Sequence, residues 1–254
     1  MDYAFETLVV ECREGVAFVE LNRPEARNAV NLQLCDDLYD FEQRLARDEE
    51  VRVVVITGRG PVFCAGADLK ERKGKDAAWV RERRRRAFRA YESIEVSEKP
   101  HIALVDGALV GSGGEIAMAC DFIYASEAAS FRFPETLWGT VGATQRLPRR
   151  IGTASTKELL FTGRKLEALE ALDIGLVQRL FDSESIEAGV AEIATAIANA
   201  PTLAISLVKR SVDIGGTTDL TRGIAVERLA IDRCLADTEW TDGLQRFQPG
   251  ERQE

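Results

Sequence analysis

Apolar positions in the first 180 residues alternate between short β-branched runs and stretches with helical spacing. The segments "TLVVEC" and "VAFVEL", separated by "REG", predict a β-hairpin. Two nearly continuous apolar runs, "VRVVVITG" and "HIALVDG", predict strands that are buried on both faces. Helical spacing is found in "LQLCDDLYDFEQRLA", and a long polar helix is predicted over residues 76–95. The pattern therefore predicts an α/β fold.

Beyond about residue 180 the helical pattern stands alone. It is carried by "ESIEAGVAEIATAIANA", "PTLAISLVKRSV" and "LTRGIAVERLAIDRCLAD". We therefore predict an α/β core followed by a C-terminal helical layer. Neither a fixed repeat nor a low-complexity linker interrupts the chain.

Composition supports a protein with a sizeable core and argues against two classes of partner. Of the 254 residues, 45% are hydrophobic, as in ordinary globular proteins. The net charge of −9 argues against nucleic acid as the main partner. The first residues lack the basic and apolar regions of a signal peptide, and "IALVDGALVG" is too short and interrupted to span a bilayer. We expect a cytoplasmic protein without a membrane partner.

The cysteines and the single histidine limit the chemistry that the chain can perform. The five cysteines are far apart and form no CxxC pair, so we expect small buried residues in a reducing compartment. They are Cys12, Cys35, Cys64, Cys120 and Cys234. One histidine, His101, cannot make a His-rich metal site, and we expect it at the start of a buried strand. No metal site is predicted.

Two glycine-rich turns, "FCAGADL" and "VGSGGE", follow predicted strands. Neither matches the dinucleotide-binding GxGxxG, because Phe63 and Ile116 stand where a glycine is needed. Ser112 lacks the GxSxG setting of a hydrolase nucleophile. Small residues let a ligand approach backbone N–H groups. Two such groups, one of them at a helix N-terminus, would form an oxyanion hole for a carbonyl that becomes enolate-like.

The order of motifs resembles the crotonase (enoyl-CoA hydratase/isomerase) family. The segments that carry this resemblance are "NRPEARNAVN", "ITGRGPVFCAGADLKE", "KPHIALVDGALVGSGGEIAMACDFIYAS", "FRFPETLWGTVGATQRLPRRIG" and "KELLFTGRKLEALEALDIGLVQRL". The resemblance as a whole extends over about residues 21–247. The resemblance implies an α/β fold: a crotonase-like spiral of ββα units over residues 1–195, which holds the CoA and active site, and a C-terminal helical trimerisation layer over residues 196–254. It also implies a homotrimer or a homohexamer made of two trimers.

The same resemblance implies an enoyl-CoA hydratase acting on an acyl-CoA thioester. The family's two catalytic carboxylates match Glu115 and Glu135, and its oxyanion-hole N–H groups match Ala67 and Ser112. At position 112 this chain has serine where the family usually has glycine. No cofactor is expected, because coenzyme A is part of the substrate. The CoA-binding residues implied by the resemblance are Ala26, Arg27, Ala65, Asp68 and Leu69.

Each of these assignments has an alternative in the residues themselves. Ser112 and Glu115 also have the spacing of a helix capping box. Glu135 follows Pro134, so it could be a first-turn acid stabilised by a helix dipole. Within the family, a Δ3-Δ2 enoyl-CoA isomerase would use Glu135 to shuttle the proton. A CoA-binding or RNA-binding protein without catalysis would not need both glutamates.

An arginine run and two departures from the family pattern remain. In "RERRRRAFR", a solvated helix face is one interpretation, and contact with CoA phosphates, an acidic acyl group or RNA is another. The residues concerned are Arg81, Arg84, Arg85 and Arg89. After Glu135 the chain reads "GTVGATQRL", shorter than the family's "GTxPGxGGTQRL". In the family, a basic segment near the C-terminus often contacts the adenine end of CoA on a neighbouring subunit. Here this region contains Pro249 and Gly250.

Overall fold

The structure, a computed structural model, describes residues 3–238 and 240–241. Its strands are β1 (Leu8–Arg13), β2 (Val16–Leu21), β3 (Val53–Gly58), β4 (Val62–Cys64), β5 (His101–Val105), β6 (Ala108–Val110), β7 (Phe122–Ser126), β8 (Ser130–Arg132), β9 (Lys165–Glu167) and β10 (Arg179–Phe181). Its α-helices are α1 (Leu32–Leu45), α2 (Leu69–Arg72), α3 (Ala77–Glu95), α4 (Ser112–Ala119), α5 (Arg146–Ile151), α6 (Thr153–Thr162), α7 (Ala168–Asp173), α8 (Ile186–Ala198), α9 (Thr202–Gly215) and α10 (Leu220–Leu235). Short 3-10 turns occupy Pro24–Ala26 and Glu135–Trp138.

The strands form two sheets. The main sheet has the order β1-β2-β3-β5-β7-β10, and the second has the order β4-β6-β8-β9. The β1–β2 pair is the predicted antiparallel hairpin, and the other neighbours in the main sheet are parallel. In the second sheet, β4, β6 and β8 are parallel, and β9 runs antiparallel to β8.

Three successive ββα units build this arrangement, as the family resemblance implies. In each unit a main-sheet strand (β3, β5 or β7) is followed by a short strand of the second sheet and then by helices. The segments after β4, β6 and β8 therefore emerge at the same edge of three adjacent parallel strands. The carboxyl ends of parallel strands are where α/β folds place their ligands.

Hydrophobic side chains cover the main sheet on both faces, as its apolar strands predict. Val53, Val55 and Ile102 point toward α8, whose Ile186 and Val190 are buried against them. The alternate residues of the same strands join a larger cluster with α1, α3 and α4. His101, at the start of β5, is fully buried, and its Nε2 lies 2.9 Å from Glu42 Oε1.

Helices α9 and α10 are long, yet neither contains a buried residue. They pack on each other, and the Lys209 Nζ to Asp121 Oδ1 ion pair, at 2.8 Å, joins α9 to the core. Apolar side chains remain exposed on both helices, among them Val212 and Leu229. The predicted boundary after residue 195 falls inside α8. The division into a core and a trimerisation region stays a prediction.

Two expectations about the whole chain can be compared with the described residues. None of their helices is by itself both long and apolar enough to cross a bilayer; α8 and α9 reach this only as a pair bent by 104°. All five cysteines are free, and Cys35, Cys64 and Cys120 are buried as expected. Cys12 is exposed on β1 and Cys234 is half-buried on α10, so the expectation of burial was wrong for these two.

Candidate active site

The three segments that carry the candidate residues meet at the edge of the second sheet. Ala67 follows β4, Ser112 and Glu115 follow β6, and Glu135 follows β8. The parallel register pairs Cys64 with Leu109, and Val110 with Arg132, so the three strands end side by side. Residues that are far apart in sequence are therefore brought to one site.

The two glycine turns touch at the predicted oxyanion hole. Gly66 has a positive φ of 93°, and a Cβ placed there would lie 3.1 Å from the Val110 carbonyl oxygen and 3.8 Å from the Ser112 nitrogen. The neighbouring backbone is held by Val30, which donates to Gly66 O and accepts from Asp68 N. Within the described residues, neither the Ala67 N–H nor the Ser112 N–H donates to a backbone carbonyl. Both donors are therefore available to a ligand.

Close packing explains the glycines of "GSGGE". A Cβ on Gly113 would lie 2.7 Å from Cys64 Cβ, and one on Gly114 would lie 2.5 Å from the Phe133 ring. Gly111 has a φ of 49°, and a Cβ on it would lie 3.0 Å from Glu135 Oε1. These glycines let α4 start directly between the second sheet and Glu135.

The capping-box alternative for Ser112 and Glu115 is wrong. Helix α4 begins at Ser112 itself, before the predicted start near Gly114, and Gly111 is its N-cap without a side-chain hydrogen bond. The Ser112 side chain lies beside the buried hydroxyl of Tyr91 on α3. Glu115 consequently lies in the second half of the first turn, with its carboxylate directed away from the N-cap.

Glu115 is buried and has two strong hydrogen-bond donors. Its Oε1 accepts from the Ala143 N–H at 2.7 Å, and its Oε2 accepts from Arg146 Nη1 at 3.0 Å. The other terminal nitrogen of Arg146 donates to Glu95 Oε2 at 2.8 Å. Burial lowers the pKa of Arg146, but the carboxylates of Glu95 and Glu115 raise it above its ordinary value. Glu115 therefore lies in a buried ion pair that a backbone N–H reinforces.

Glu135 has a contrasting environment. Its side chain lies against the backbone of Gly111 and Gly142, and its Oε2 is buried without a partner among the described residues. Burial raises the pKa of this carboxyl group; the nearby charge of Glu115 adds to the effect and Arg84 opposes it. The site therefore combines one carboxyl group that is bonded to a guanidinium with a second, Glu135, whose burial favours the protonated form.

The shortened loop after Glu135, residues 139–145, connects the two carboxyl groups. A Cβ on Gly142 would lie 2.9 Å from Glu135 Cγ, so this residue must be small. The next residue, Ala143, is buried in the left-handed conformation with a φ of 54° and donates to Glu115. Arg84 on α3 donates to Thr140 Oγ1 and, at 2.9 Å, to the Val141 carbonyl.

The predicted CoA-binding residues lie on two adjoining loops. Ala65 N donates to Arg27 O at 2.9 Å, which joins the loop after β2 to the turn after β4. Arg27 is exposed with a φ of 52°, and Leu69 is also exposed. The Asp68 carboxylate caps α2 and pairs with Arg23 at 3.0 Å, so its charge is already neutralised.

The arginine helix α3 is largely paired within the protein. Arg85 pairs with Glu82 on the surface, and Arg89 contacts Asp36 and the ring of Tyr39. Arg81 is exposed, as expected for a solvated face. The side chains of two arginines point instead toward the site: Arg84 contacts the shortened loop, and Arg83 donates to the Val30 carbonyl beside the oxyanion turn.

Sequence reasoning missed several residues that organise the site. Arg146 and Ala143 lie in the quoted "GTVGATQRL", but only the folded chain shows that they hold Glu115. Asn28 is fully buried and donates to the carbonyls of Arg59 and Val62, which anchors the loop after β2. The "RNAVN" segment gave no indication of this role. Pro249 and Gly250 lie outside the described residues.

Comparison with known proteins agrees with this geometry. A family model described as "Enoyl-CoA hydratase/isomerase" matches residues 11–253. The chain belongs to the enoyl-CoA hydratase/isomerase family. A crotonyl-CoA hydratase of Syntrophomonas wolfei is 36% identical over 248 residues, which cover 96% of this chain and 95% of that protein. A short-chain-enoyl-CoA hydratase of Clostridium acetobutylicum is 34% identical over 244 residues, or 94% of each chain.

Solved structures of the family share the fold. The crystal structure of an enoyl-CoA hydratase from Bacillus anthracis superposes with a TM-score of 0.92 at 35% identity, covering 94% of this chain and 95% of that one. An enoyl-CoA hydratase from Thermoplasma volcanium gives a TM-score of 0.89 at 31% identity, covering 95% and 97%. The crotonase-like fold predicted from the sequence is therefore confirmed.

Proposed function

We propose that this member of the enoyl-CoA hydratase/isomerase family is an enoyl-CoA hydratase that adds water across the 2,3 double bond of an α,β-unsaturated acyl-CoA. The observation that carries the catalytic assignment is the contrast between its two carboxyl groups. Glu115 accepts two hydrogen bonds, one from a largely buried guanidinium, whereas Oε2 of Glu135 is buried without a donor among the described residues. Hydration needs both a base and an acid, and this pair supplies them.

In the proposed mechanism Glu115 activates the water. A water between the two carboxyl groups donates one hydrogen bond to Glu115, and its oxygen attacks Cβ of the enoyl thioester. The new C–O bond displaces the π electrons toward the thioester, whose oxygen takes the negative charge of an enolate. The N–H groups of Ala67 and Ser112 stabilise this oxygen, and the N-terminal end of the α4 dipole adds to the effect.

Glu135 completes the addition in its protonated form. It delivers its proton to Cα as the enolate collapses to the 3-hydroxyacyl thioester. Glu115 takes the proton released by the attacking water, and transfer of this proton to Glu135 restores the starting state. No cofactor takes part in this proposal, because each step is assigned to a group of the chain and CoA belongs to the substrate.

CoA binding is proposed along the two adjoining loops next to the oxyanion turn. Ala26 and Ala65 offer backbone groups, and exposed Arg27 offers a charge for a phosphate. The Asp68 backbone and the exposed side chain of Leu69 form the end of this surface. The loops are fixed by the Ala65 to Arg27 hydrogen bond, so the thioester would be directed toward Ala67 and Ser112.

The test is the loss of enoyl-thioester absorbance with crotonyl-CoA, a branched enoyl-CoA and a dicarboxylic enoyl-CoA. We expect Glu115→Gln and Glu135→Gln each to lower kcat by about 10²- to 10⁴-fold, since each removes a general acid or base. Glu127→Gln is the matched control, because Glu127 is exposed and belongs to none of the segments that build the site. It should match the wild type.

Two results would contradict the proposal. Full turnover by either active-site variant would remove that glutamate from the mechanism. A wild type that leaves the 2-enoyl thioesters unchanged but converts a 3-enoyl-CoA into the 2-enoyl isomer would be an isomerase, in which Glu135 alone moves the proton.

We also propose that the protein is a cytoplasmic homotrimer or a homohexamer of two trimers. The exposed apolar side chains of α9 and α10 support the assembly, since an unpartnered apolar helix pair favours association. Five free cysteines support a reducing compartment. Sedimentation equilibrium measures the assembly, and a monomer at micromolar concentration would contradict it.

A further inference from the structure

The loop at residues 139–145 lies over both carboxyl groups but contributes little apolar burial of its own. Val141 is 64% exposed, and Gly139 and Gly142 have no side chains to bury. Inside the loop, Ala143 is anchored through its N–H to Glu115. Something else must fix the outer part of the loop, because exposed backbone without packed side chains opens readily.

Arg84 supplies that anchor from a different element. Its guanidinium donates to Thr140 Oγ1 and to the Val141 carbonyl, which are consecutive residues of the loop. A planar guanidinium that binds two acceptors at once fixes both distance and orientation. The 3-10 turn that precedes the loop is held separately: Thr136 Oγ1 donates to the Leu160 carbonyl of α6, and the Thr140 N–H donates to the Glu135 carbonyl.

We propose that Arg84 is a positioning residue for the hydration reaction: from α3 it holds the 139–145 loop over Glu115 and Glu135. Through Ala143 the loop orients Glu115, and through Gly142 it confines Glu135. This inference rests on the proposed hydratase function. It assigns a task to one member of the arginine run that neither substrate phosphates nor RNA would explain.

Charge is the second way in which Arg84 acts on the site. The charged groups that act on Glu135 are Glu115 from α4, which favours its protonation, and Arg84 from α3, which opposes it. Helix α6 faces the same segment through the uncharged Leu160 carbonyl. Removing the Arg84 charge should therefore let Glu135 keep its proton to higher pH.

Four variants separate the anchor from the charge and from general surface effects. Arg84→Gln removes both, Arg84→Lys keeps the charge without the two-acceptor geometry, and Thr140→Val removes one acceptor. Arg85→Gln is the matched control, because Arg85 lies on the same helix, is exposed and pairs with Glu82 rather than with the loop. Each variant is measured as the full chain for kcat, KM and the pH profile of kcat/KM.

We expect Arg84→Gln to lower kcat by about 10- to 100-fold, the effect of a small displacement of catalytic groups, with KM within about twofold of the wild type. The basic limb of its pH profile should move to higher pH. Arg84→Lys should restore the limb but not kcat, and Thr140→Val should lower kcat in the same direction. A kcat for Arg84→Gln within twofold of Arg85→Gln would overturn the inference.

Hydrogen exchange tests the anchor without reference to catalysis. In Arg84→Gln the amides of residues 139–145 should exchange at least about tenfold faster than in Arg85→Gln, since the loop loses two hydrogen bonds. Equal exchange would overturn the anchor even if the enzyme is active. Conversely, if the wild type lacks hydratase activity but the two variants differ in exchange as expected, the proposed function is refuted and the anchor is established.

Discussion

Replacing Arg146 tests whether its ion pair with Glu115 holds the site together. Arg146→Met keeps much of the length of the side chain but removes both hydrogen bonds, at 3.0 Å to Glu115 and 2.8 Å to Glu95. The side chains of Arg146 and Glu115 are only 12% and 9% exposed, whereas that of Glu95 is 48% exposed. The two bonds should therefore contribute very differently to stability.

The expected magnitude follows from burial. Breaking a buried ion pair costs about 3–5 kcal/mol, because the remaining charge is left uncompensated. Glu115 retains the Ala143 N–H, so we expect a loss near the lower limit, about 3 kcal/mol. An exposed ion pair contributes at most about 1 kcal/mol, so Glu95→Gln should cost little.

Urea unfolding followed by far-UV circular dichroism measures these differences in the free energy of unfolding. All variants are compared at the same protein concentration, because assembly makes the apparent stability concentration-dependent. A double-mutant cycle of Arg146→Met with Glu115→Gln isolates the pair. We expect a coupling of about 2 kcal/mol, because the uncharged amide that replaces the Glu115 carboxylate no longer needs a cation. A coupling below about 0.5 kcal/mol, or equal losses for Arg146→Met and Glu95→Gln, would refute this explanation.

Three further predictions concern neighbouring residues. Gly142→Ala adds a Cβ 2.9 Å from Glu135 Cγ, so crotonyl-CoA kinetics should show kcat reduced at least about tenfold at similar KM; unchanged kcat would contradict the packing. Asn28→Ala removes two donors to backbone carbonyls and should cost about 2 kcal/mol in urea unfolding and raise KM for the CoA thioester, whereas wild-type values would exclude the anchoring role. Burial raises the pKa of Glu135, so the folded state binds this proton more tightly than the unfolded chain does. The free energy of unfolding therefore falls as pH rises from the unfolded pKa through the raised folded pKa, and it stays lower at higher pH. Glu135→Gln removes this penalty, so its urea midpoint should exceed that of the wild type at pH 8, with an advantage that shrinks toward pH 5; a constant difference would oppose it.

Local sequence patterns determined most of the secondary structure. The hairpin of β1 and β2 and the doubly buried β3 and β5 follow from β-branched and apolar runs, and α3 begins and ends within one residue of its prediction. These features depend on nearest neighbours and on simple burial of an apolar face. Short-range energetics therefore specify them.

Motif order also determined the family and nominated the site residues. The glycines of "AGAD" and "GSGGE" and the two glutamates stand in the family's sequence order, and the fold brings them to the same edge of the second sheet. Local pattern alone was misleading at Ser112 and Glu115, whose spacing fits a capping box. Tertiary contacts with Ala143 and Arg146 prevail there, because a buried carboxylate is stabilised more by a guanidinium than by capping a helix end.

Only the tertiary structure decided how the two glutamates differ. They are the same residue type, each placed after a short strand, and nothing in the local sequence distinguishes their environments. The distinction comes from Arg146, which lies 31 residues from Glu115 and binds it, and from the burial of Glu135, whose Oε2 meets no donor among the described residues. Arg84 reaches the loop that contacts both from 57 residues away. Charge and burial act through space, so the chemistry of this site is set by partners that the folded chain brings together.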